Sequence, residues 1–303
     1  MRTVVTGGAG FIGSHVAAAL AARGDEVHVL DNLSTGSREF VPHGVRLHVG
    51  DIRRDDDLDL VFDEARPEVC FHLAAQADVG TSVAEPVYDA EVNVLGTLRV
   101  IEAARRHDAQ VVFSSTGGAI YGECDAPAPE DSPRRPLSPY GTAKLAGEEY
   151  LATWNRLHGT THVALRFANV YGPHQAAGLE GGVVAIFLER MAEGATSTIF
   201  GDGSQTRDFV YVGDVVRAVL AATGRDGGVF NVGTGAELSV SALYEACCRV
   251  TGFDRPAEHA AARPGDLMRS VLDPGLAAAQ LGWRAETGLD AGLAETWSWI
   301  RQR

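Results

Sequence analysis

The sequence predicts an α/β fold in which a doubly wound parallel sheet is joined to a smaller C-terminal domain. Short β-branched strands alternate with helical segments in the first half, a glycine-rich loop joins the first strand to the first helix, and the alternation weakens after residue 170. Such alternation builds a parallel sheet covered on both faces. We expect one domain at 1–170, with 208–235 returning to it, and a discontinuous second domain at 171–303.

Composition limits the classes of function. The 303 residues are 45% hydrophobic, enough for a large core. A formal net charge of -14 leaves no broad basic surface, so we expect neither nucleic acid nor a membrane as a partner. The four cysteines form no CxxC motif, and the chain enters a strand at once, without an apolar leader. We therefore expect free thiols and a cytoplasmic location.

The first strand, at residues 2–5, runs into the loop GGAGFIG at 7–13 and then an amphipathic helix. Gly7 permits a tight turn, Gly10 lets the backbone approach a pyrophosphate, and Gly13 lets the helix pack closely on the sheet. The free amides at the start of the helix suit an anion. The spacing is GxxGxxG rather than the commoner GxGxxG, and a glycine loop by itself also fits an ordinary turn.

An acidic residue ends the second predicted strand, EVHVLD. Asp31 stands 18 residues after Gly13, where a carboxylate can accept hydrogen bonds from both hydroxyls of an adenosine ribose. The same carboxylate would repel a 2′-phosphate. Loop, helix, strand and acid together predict a Rossmann-type site for NAD rather than NADP, and the alternative is that Asp31 only caps a loop.

Further strands are predicted at 46–52, 69–75 and 110–116. Ligands on a parallel sheet bind at the carboxyl ends of the strands, so residues at these ends are candidate dinucleotide contacts. Asn93, on a later helix, either supports the site or makes an ordinary helix contact. The predicted cofactor contacts are Gly7, Gly10, Phe11, Ile12, Gly13, Asp31, Asn32, Asp51, Ile52, Leu73, Ala74, Ala75, Gln76, Asn93, Tyr140 and Lys144.

A tyrosine and a lysine stand one helical turn apart in SPYGTAK at 138–144. Ser138 and Pro139 suit the start of a helix, which would project Tyr140 and Lys144 from one face. A nearby cation favours phenolate over phenol, so we expect Lys144 to lower the pKa of Tyr140 toward a range useful for proton transfer. An isolated YxxxK also fits an ordinary surface helix.

Hydroxyl groups end the fifth predicted strand, in FSSTGGAIYG at 113–122. A hydroxyl at this strand end would lie near Tyr140 and could hold a substrate alcohol or share its proton. Thr116 is the first choice and Ser115 the second. Two following glycines free the backbone to pass close to a ligand, although a simple Ser/Thr turn is the alternative.

Short motifs in order along the chain resemble those of the extended short-chain dehydrogenases/reductases, and specifically of the UDP-glucose (UDP-galactose) 4-epimerase group. As a set they are specific for the superfamily and less so for one sugar. They are TGGAGFIG at 6–13, DNLSTG at 31–36, GDI at 50–52, HLAAQ at 72–76, SSTGGAIYG at 114–122, SPYGTAK at 138–144, LRFANVYGP at 165–173, GDGSQTRDFVYVGDV at 201–215, FNVGTG at 230–235 and RPGD at 263–266.

The resemblance implies an enzyme with tightly held NAD that epimerises C4 of a UDP-hexose through a transient 4-keto intermediate. Tyr140 would take the hydroxyl proton as hydride passes to the nicotinamide. Lys144 would hold Tyr140 anionic and bind the nicotinamide ribose, and Thr116 would hold the reacting oxygen.

The resemblance also implies how the nucleotide sugar is bound. Asn169 would face its diphosphate, Arg207 and Arg263 would meet the phosphates, and Asp266 would meet the uridine ribose. Guanidinium groups suit a pyrophosphate. The implied substrate contacts are Thr116, Asn169, Val184, Phe200, Arg207, Arg263, Asp266 and Ser270.

Departures from the family pattern narrow the chemistry. Gly117 and Gly118 stand where sugar-nucleotide 4,6-dehydratases carry an Asp–Glu pair, so dehydration is not expected. Ser270 stands where some relatives carry a bulky tyrosine, so we expect room for the N-acetyl group of UDP-GlcNAc or UDP-GalNAc. Two alternatives stay open: an epimerase for UDP-glucuronate or another acidic sugar, with Arg269 meeting the carboxylate, and a catalytically silent NAD-sensing module.

Two further expectations concern assembly and metals. Family members often dimerise through a four-helix bundle, and by analogy the segments at 84–107 and 142–157 would form a homodimer. His158 and His162 are four residues apart but have no third ligand, so we expect exposed polar residues and no metal.

Overall fold

The computed structural model describes residues 1–176, 182–263 and 266–303. Its strands are β1 Arg2–Thr6, β2 Glu26–Asp31, β3 Arg46–Val49, β4 Val69–His72, β5 Gln110–Thr116, β6 Val163–Phe167, β7 Asn169–Tyr171, β8 Thr198–Phe200, β9 Thr206–Arg207, β10 Phe209–Tyr211, β11 Gly228–Val232, β12 Leu238–Ser239, β13 Glu258–Ala260 and β14 Arg269–Ser270. Its helices are α1 Phe11–Ala22, α2 Asp55–Ala65, α3 Val79–Ala84, α4 Pro86–Ala90, α5 Thr97–Arg106, α6 Gly117–Ile120, α7 Pro139–His158, α8 Val183–Ala192, α9 Val212–Ala221, α10 Val240–Thr251, α11 Gly275–Gln280 and α12 Leu289–Ile300. A 3-10 turn lies at Arg38–Phe40, and a π-helical segment at Glu91–Gly96.

Seven parallel strands form the main sheet in the order β11-β6-β5-β4-β1-β2-β3. From β1 the chain first builds outward through β2 and β3, then crosses back to β4 and builds in the other direction. Val5, for example, pairs with Val29 on one side and with Phe71 on the other. The predicted doubly wound parallel sheet is confirmed, and its direction reverses between β1 and β4, where such sheets form a ligand crevice.

Both faces of the main sheet are buried under helices. Val4 and Val5 are consecutive residues of β1, both are fully buried, and they belong to different apolar clusters. The Val5 cluster includes Leu20 of α1, and the Val4 cluster includes Phe62 of α2 and Ile101 of α5. Burial of each such side chain contributes roughly 1.5–3 kcal/mol, which explains why the strands read as continuous apolar runs.

The chain leaves the main sheet after β6 to build a smaller unit. Its apolar cluster is formed mainly by α8, α10 and α12, with Phe187, Leu243 and Leu293 at its centre. Small sheets lie beside it, with strand orders β12-β9-β14 and β13-β8. No helix in the described ranges is long and apolar enough to cross a membrane.

The two strands expected to return to the main sheet behave differently. Strand β11 pairs with β6 at the edge of the main sheet, whereas β10 pairs with β7 in a separate two-stranded sheet. Residues 209–212, the FVYV segment that contains β10, lie within the range expected to return to the main sheet, and for them the expectation is wrong. The backbone changes partner at one residue: the amide of Ala168 donates to Val232 of β11, and the next amide, that of Asn169, donates to Asp208 just before β10.

His162 corrects a second expectation. Its ring is buried, and its Nδ1 accepts a hydrogen bond from the amide of Val111 over 3.0 Å. Burial lowers the pKa of His162 to about 4. His158, at the end of α7, is exposed as expected.

A buried ion pair fastens α7 to the sheet. Arg166 of β6 and Glu148 of α7 have side chains that are each 2% exposed, and Nη2 and Nε of the arginine donate to the two carboxylate oxygens over 2.6 and 2.9 Å. Arg166 also donates to the hydroxyl of Tyr121 and to the carbonyl of Glu130. Because α7 carries the predicted tyrosine and lysine, this pair sets where those side chains lie.

We expect Glu148→Gln to destabilise the fold strongly, because it leaves the Arg166 guanidinium buried beside a neutral partner. The expected loss in the free energy of unfolding is about 3–5 kcal/mol, measured by urea denaturation. Glu149→Gln is the matched control, since the neighbouring Glu149–Arg134 pair is exposed and should contribute little. Equal losses in the two variants would contradict the anchoring role of the buried pair.

Candidate active site

A cavity of about 660 Å³ opens at the carboxyl ends of the central strands. Its wall includes the loop after β1 and residues that follow β2, β3, β4 and β5. Each predicted cofactor contact lines this cavity except Asn93, which lies behind the wall and is buried. Among the predicted substrate contacts, Thr116, Asn169 and Arg207 also line it.

The glycine loop has the shape that a dinucleotide pyrophosphate requires. Gly7 has a φ of +73°, and a Cβ there would lie 2.6 Å from the amide nitrogen of Ala74. A Cβ at Gly13 would overlap the carbonyl of Gly7, so α1 packs against the loop only because position 13 is glycine. A Cβ at Gly10 would have the carbonyl oxygen of Gly7, at 3.3 Å, as its nearest protein neighbour, and Gly10 borders the cavity. The amides of the first turn of α1 therefore face open space where an anion fits.

Asp31 lies at the end of β2, on the cavity wall. Its Oδ2 accepts from the amide of Ala9 over 2.9 Å, and its Oδ1 accepts from the amide of Leu33 over 2.8 Å. A carboxylate has about four acceptor positions, so these bonds orient the group and leave capacity for two ribose hydroxyls. The loop and this acid together fit NAD.

Asp51 and Asn32 form the adjoining part of the wall. Asn32 donates to Asp51 over 3.1 Å, and Arg53 binds the same carboxylate with two nitrogens. The hydrogen bond from Arg53 lowers the pKa of Asp51 to about 2, so this group is a stable anion at neutral pH. A predicted cofactor contact is thus held in a fixed orientation by its neighbours.

Helix α7 begins as the sequence indicated. The Ser138 hydroxyl accepts from the amide of Gly141 over 3.2 Å, and Pro139 occupies the first turn. Tyr140 and Thr116 both line the cavity, and the Thr116 side chain lies near enough to the Tyr140 hydroxyl to favour its ionised form. The strand-end threonine and the helix-start tyrosine are brought together as predicted.

The ammonium group of Lys144 is buried. The residue is 3% exposed, its Nζ donates to the carbonyl of Ser114 over 2.9 Å, and Nζ lies 5.9 Å from the centre of the Tyr140 ring. Lys144 is also the only lysine in the chain, beside 25 arginines that bring the total of basic residues to 26. Lysine is a compact point charge that can titrate when buried, whereas arginine keeps its proton.

The pKa values of Tyr140 and Lys144 differ from what the sequence led us to expect. Burial raises the pKa of Tyr140 to about 12, and the Asp89 carboxylate adds to this by more than the Thr116 side chain opposes it. Burial lowers the pKa of Lys144 to about 8, although Asp89 opposes the change. The expectation that the pKa of Tyr140 is lowered is therefore wrong, because burial and the Asp89 carboxylate both raise it.

Ser115, the second choice for a substrate-binding hydroxyl, is engaged elsewhere. Its hydroxyl donates to the buried carboxylate of Glu148, which is also the partner of Arg166. Although Ser115 borders the cavity, its side chain belongs to the network that fastens α7. Thr116 is consequently the hydroxyl of this strand end that reaches Tyr140.

Asp89 is a residue of this site that the sequence analysis missed. It lies on α4, is 1% exposed, and accepts hydrogen bonds from the side chains of Gln76 and Asn93. Asn93 in turn donates to the backbone carbonyl of Gln76 over 2.8 Å. The spacing of four residues between Asp89 and Asn93 was a signal that both project from one side of a helix.

The other predicted substrate contacts lie outside the cavity wall as the described residues define it. Asp266 forms an ion pair with Arg207 of the cavity wall. The guanidinium carbon of Arg263 lies 3.9 Å from the centre of the Phe200 ring. Residues 264–265 of the RPGD motif lie outside the described residues. The remaining two contacts are buried and belong to the smaller unit, Val184 in its core and Ser270 in β14.

Arg269 is engaged within the protein. It forms an ion pair with Glu237 and donates to the backbone carbonyl of Asp125. Its backbone amide donates to Glu123 over 2.8 Å. These contacts engage both terminal guanidinium nitrogens, while Nε is buried and has no partner among the described residues, and this disfavours a role in recognising a sugar carboxylate.

The fold and this site define a dinucleotide-dependent enzyme with a tyrosine–lysine pair of the short-chain dehydrogenase/reductase type. The chain belongs to the NAD dependent epimerase/dehydratase family, whose model matches residues 3–233. The resemblance to the extended short-chain dehydrogenases/reductases and their UDP-glucose 4-epimerase group is confirmed.

Relatives match along the whole chain. A UDP-glucose 4-epimerase of Mycolicibacterium smegmatis is 45% identical, with 100% of this chain and 99% of the relative covered. A solved structure of UDP-glucose 4-epimerase from Thermotoga maritima with UDP-glucose is 44% identical, has a TM-score of 0.97, and covers 100% of this chain and 99% of its own. The Thermus thermophilus UDP-glucose 4-epimerase complex with NAD is 46% identical, with a TM-score of 0.95 and 99% of each chain covered.

We expect Gly10→Ala to fold but to lose bound NAD. The added methyl group has its nearest protein neighbour at 3.3 Å and would occupy the place where the pyrophosphate approaches the backbone. NAD released from the denatured protein and the thermal unfolding midpoint measure the two effects separately. Gly288→Ala, where an added Cβ meets nothing within 4 Å, is the control. Full NAD content in Gly10→Ala would rule out this cradle.

Proposed function

We propose that this chain is a UDP-glucose 4-epimerase, which interconverts UDP-glucose and UDP-galactose with NAD through a transient 4-keto sugar. The observation that carries the proposal is the convergence of Thr116, Tyr140 and Lys144 on one cavity whose glycine loop and Asp31 suit NAD. Relatives named UDP-glucose 4-epimerase that match end to end support the same substrate.

Each residue of this group has a separate task in the proposed reaction. NAD, held by the glycine loop and Asp31, would supply the acceptor and donor of the C4 hydride. Tyr140 accepts the proton of the C4 hydroxyl as the carbonyl forms and gives it back when the carbonyl is reduced. Thr116 orients the oxygen through its hydroxyl, and the ammonium of Lys144 stabilises the phenolate form of Tyr140 that accepts the proton.

The nucleotide sugar would lie between the two parts of the chain. We infer that residues 1–170, with β11, bind NAD and that the rest of 171–303 binds the UDP group. Asn169 and Arg207, at the cavity wall, are the first contacts for the diphosphate. We propose that Val184, Phe200, Arg263, Asp266 and Ser270 complete the substrate side.

Substrates beyond UDP-glucose differ in their support. Ser270 is small, and one relative of known structure is a UDP-N-acetylglucosamine 4-epimerase with 32% identity, so acceptance of UDP-GlcNAc and UDP-GalNAc stays part of the proposal. UDP-glucuronate is disfavoured because Arg269 is already paired. A silent NAD sensor has no use for a threonine, tyrosine and lysine arranged for proton transfer.

We expect the purified protein to convert UDP-glucose to UDP-galactose without added NAD, as measured by chromatography of the nucleotide sugars. Tyr140→Phe should lower kcat by about 10²–10⁴-fold while its NAD content stays unchanged, because the proton acceptor is lost. Tyr150→Phe, on an exposed part of the same helix, is the matched control and should retain activity.

Three results would each contradict a different part of the proposal: the substrate, the enzymatic activity or the role of Tyr140. Turnover of UDP-glucuronate alone would favour the acidic-sugar epimerase. Bound NAD with no turnover of UDP-glucose, UDP-GlcNAc or UDP-glucuronate would favour the sensor. An active Tyr140→Phe variant would remove Tyr140 from the reaction.

We also propose that the protein works in the cytoplasm as a homodimer. Its four cysteines are free thiols, two of them buried, which suits a reducing compartment. Exposed apolar side chains lie on α3, α4, the π-helical segment and α7, within or beside the segments proposed to form the dimer interface. They are Val83, Val87, Leu95 and Leu157.

We expect Val87→Asp to shift a dimer toward monomer, because it places a charge within this apolar surface. Light scattering after size exclusion should give twice the chain mass of 32.1 kDa for the wild type and a single chain for the variant. Leu60→Asp, at an equally exposed leucine of α2, is the control and should stay dimeric. A monomeric wild type would refute the proposed assembly.

A further inference from the structure

The carboxylate of Asp89 is buried and only half satisfied. Its Oδ1 accepts from Nε2 of Gln76 over 3.0 Å and from Nδ2 of Asn93 over 2.8 Å. Its Oδ2 is also buried, and within the described parts of the chain it has no hydrogen-bond partner. A buried carboxylate oxygen without a partner is costly, so its retention calls for a charge or a task nearby.

The charge nearby is that of Lys144. Helix α4 packs against the start of α7, where Asp89 lines one groove together with Pro139, Thr142 and Ala143. The attraction of Asp89 opposes the effect of burial on the pKa of Lys144, and its repulsion adds to the raised pKa of Tyr140. One carboxylate thus acts on both members of the pair.

The other ionisable groups around Lys144 do not supply this negative charge. His72 of β4 is neutral, since burial and Lys144 lower its pKa to about 3. Glu148, one turn further along α7, is paired with Arg166. Asp78 accepts from the amide of Thr81 at the start of α3, and Glu91 is an exposed residue near Arg53. Asp89 is the carboxylate that acts on the pKa of Lys144.

The backbone beside Asp89 is shaped to keep these contacts. The π-helical segment Glu91–Gly96 follows α4 directly, and such wide turns are rare and concentrate at functional sites. Here the segment carries Asn93, whose amide bridges the Asp89 carboxylate and the backbone of Gln76. Gln76 lines the cavity, so the network connects Asp89 to the wall where the cofactor binds.

We propose that Asp89 is a positioning residue of the reaction. From behind the cavity wall its carboxylate holds Gln76 and Asn93 in place and keeps the Lys144 ammonium protonated at neutral pH through a buried charge attraction. This role deepens the function proposed above and rests on it, because a protonated Lys144 matters only if Tyr140 transfers protons there.

Removing the negative charge of Asp89 should lower the pKa values of both Lys144 and Tyr140. Without Asp89, Lys144 holds its proton less tightly, so its titration midpoint falls below the value of about 8. Tyr140 loses a repulsive neighbour, so the pKa of its phenol falls as well. Both limbs of the pH dependence of kcat therefore move toward acid, by on the order of one pH unit for charges that interact within a buried site. A purely structural role would lower kcat at every pH without this shift.

The single lysine makes a direct measurement possible. In NAD-loaded protein grown with 13Cε-lysine, the one labelled side chain is Lys144, and its chemical shift gives its titration midpoint. Asp89→Asn should move that midpoint down by about one unit and move both limbs of kcat with it. Glu91→Gln removes an equal charge from an exposed position two residues away and should move neither. An unchanged midpoint in Asp89→Asn, or an equal shift in Glu91→Gln, would overturn the proposal.

Two provisions keep the test decisive. If Asp89→Asn does not fold, Asp89→Ser removes the same charge with a smaller polar group and must show the same acid shift. The 13C resonance of Lys144 is measured without turnover. A failure of the proposed role of Asp89 can therefore be distinguished from a failure of the proposed epimerase function. A shifted midpoint in a protein that epimerises no sugar would refute the proposed function alone, and turnover with an unshifted midpoint would refute the role of Asp89 alone.

Discussion

The structure of this active site depends on one buried ammonium group. Lys144 is almost without solvent, and its Nζ has the carbonyl of Ser114 as its hydrogen-bond partner within the described residues. A buried charge of this kind persists only when neighbouring groups replace its lost hydration. The carbonyl of Ser114 at the end of β5 supplies part of that replacement, and the negative charge of Asp89 on α4 favours the ammonium form.

The placement of α7 is itself fixed from behind by the pair of Glu148 and Arg166. Glu148 lies one turn beyond Lys144 and engages both β6 and the Ser115 hydroxyl. Consecutive residues of β5 therefore serve different ends: Ser114 holds the ammonium, Ser115 holds the helix, and Thr116 faces the tyrosine. The alternation of side chains along a strand separates the supporting hydroxyl from the reacting one.

Local sequence was enough to predict the sheet, the glycine loop, Asp31 and the start of α7. In each case a pattern within a few residues determines the backbone: β-branched runs, glycines at fixed spacing, or a serine–proline pair before a helix. The partner of the FVYV strand was wrong because it depends on where the chain leaves β6, which is a matter of packing. The direction of the Tyr140 pKa was wrong for the same reason, since spacing shows a neighbouring charge but not the loss of water around both groups.

Asp89 was missed because nothing in its sequence neighbourhood distinguishes it from the many acids on helix surfaces. Its burial follows from the packing of α4 on α7, which brings residues 89 and 144 together across more than fifty positions of sequence. With Asp89 ionised, Lys144 charged and Tyr140 protonated, these three groups sum to no net charge. Loss of the phenolic proton would leave one buried negative charge, and the raised pKa of Tyr140 expresses that cost. In the proposed reaction, the positive charge of the oxidised nicotinamide would offset that cost when NAD is bound, so Tyr140 would become an effective base only in the complex that can accept the hydride.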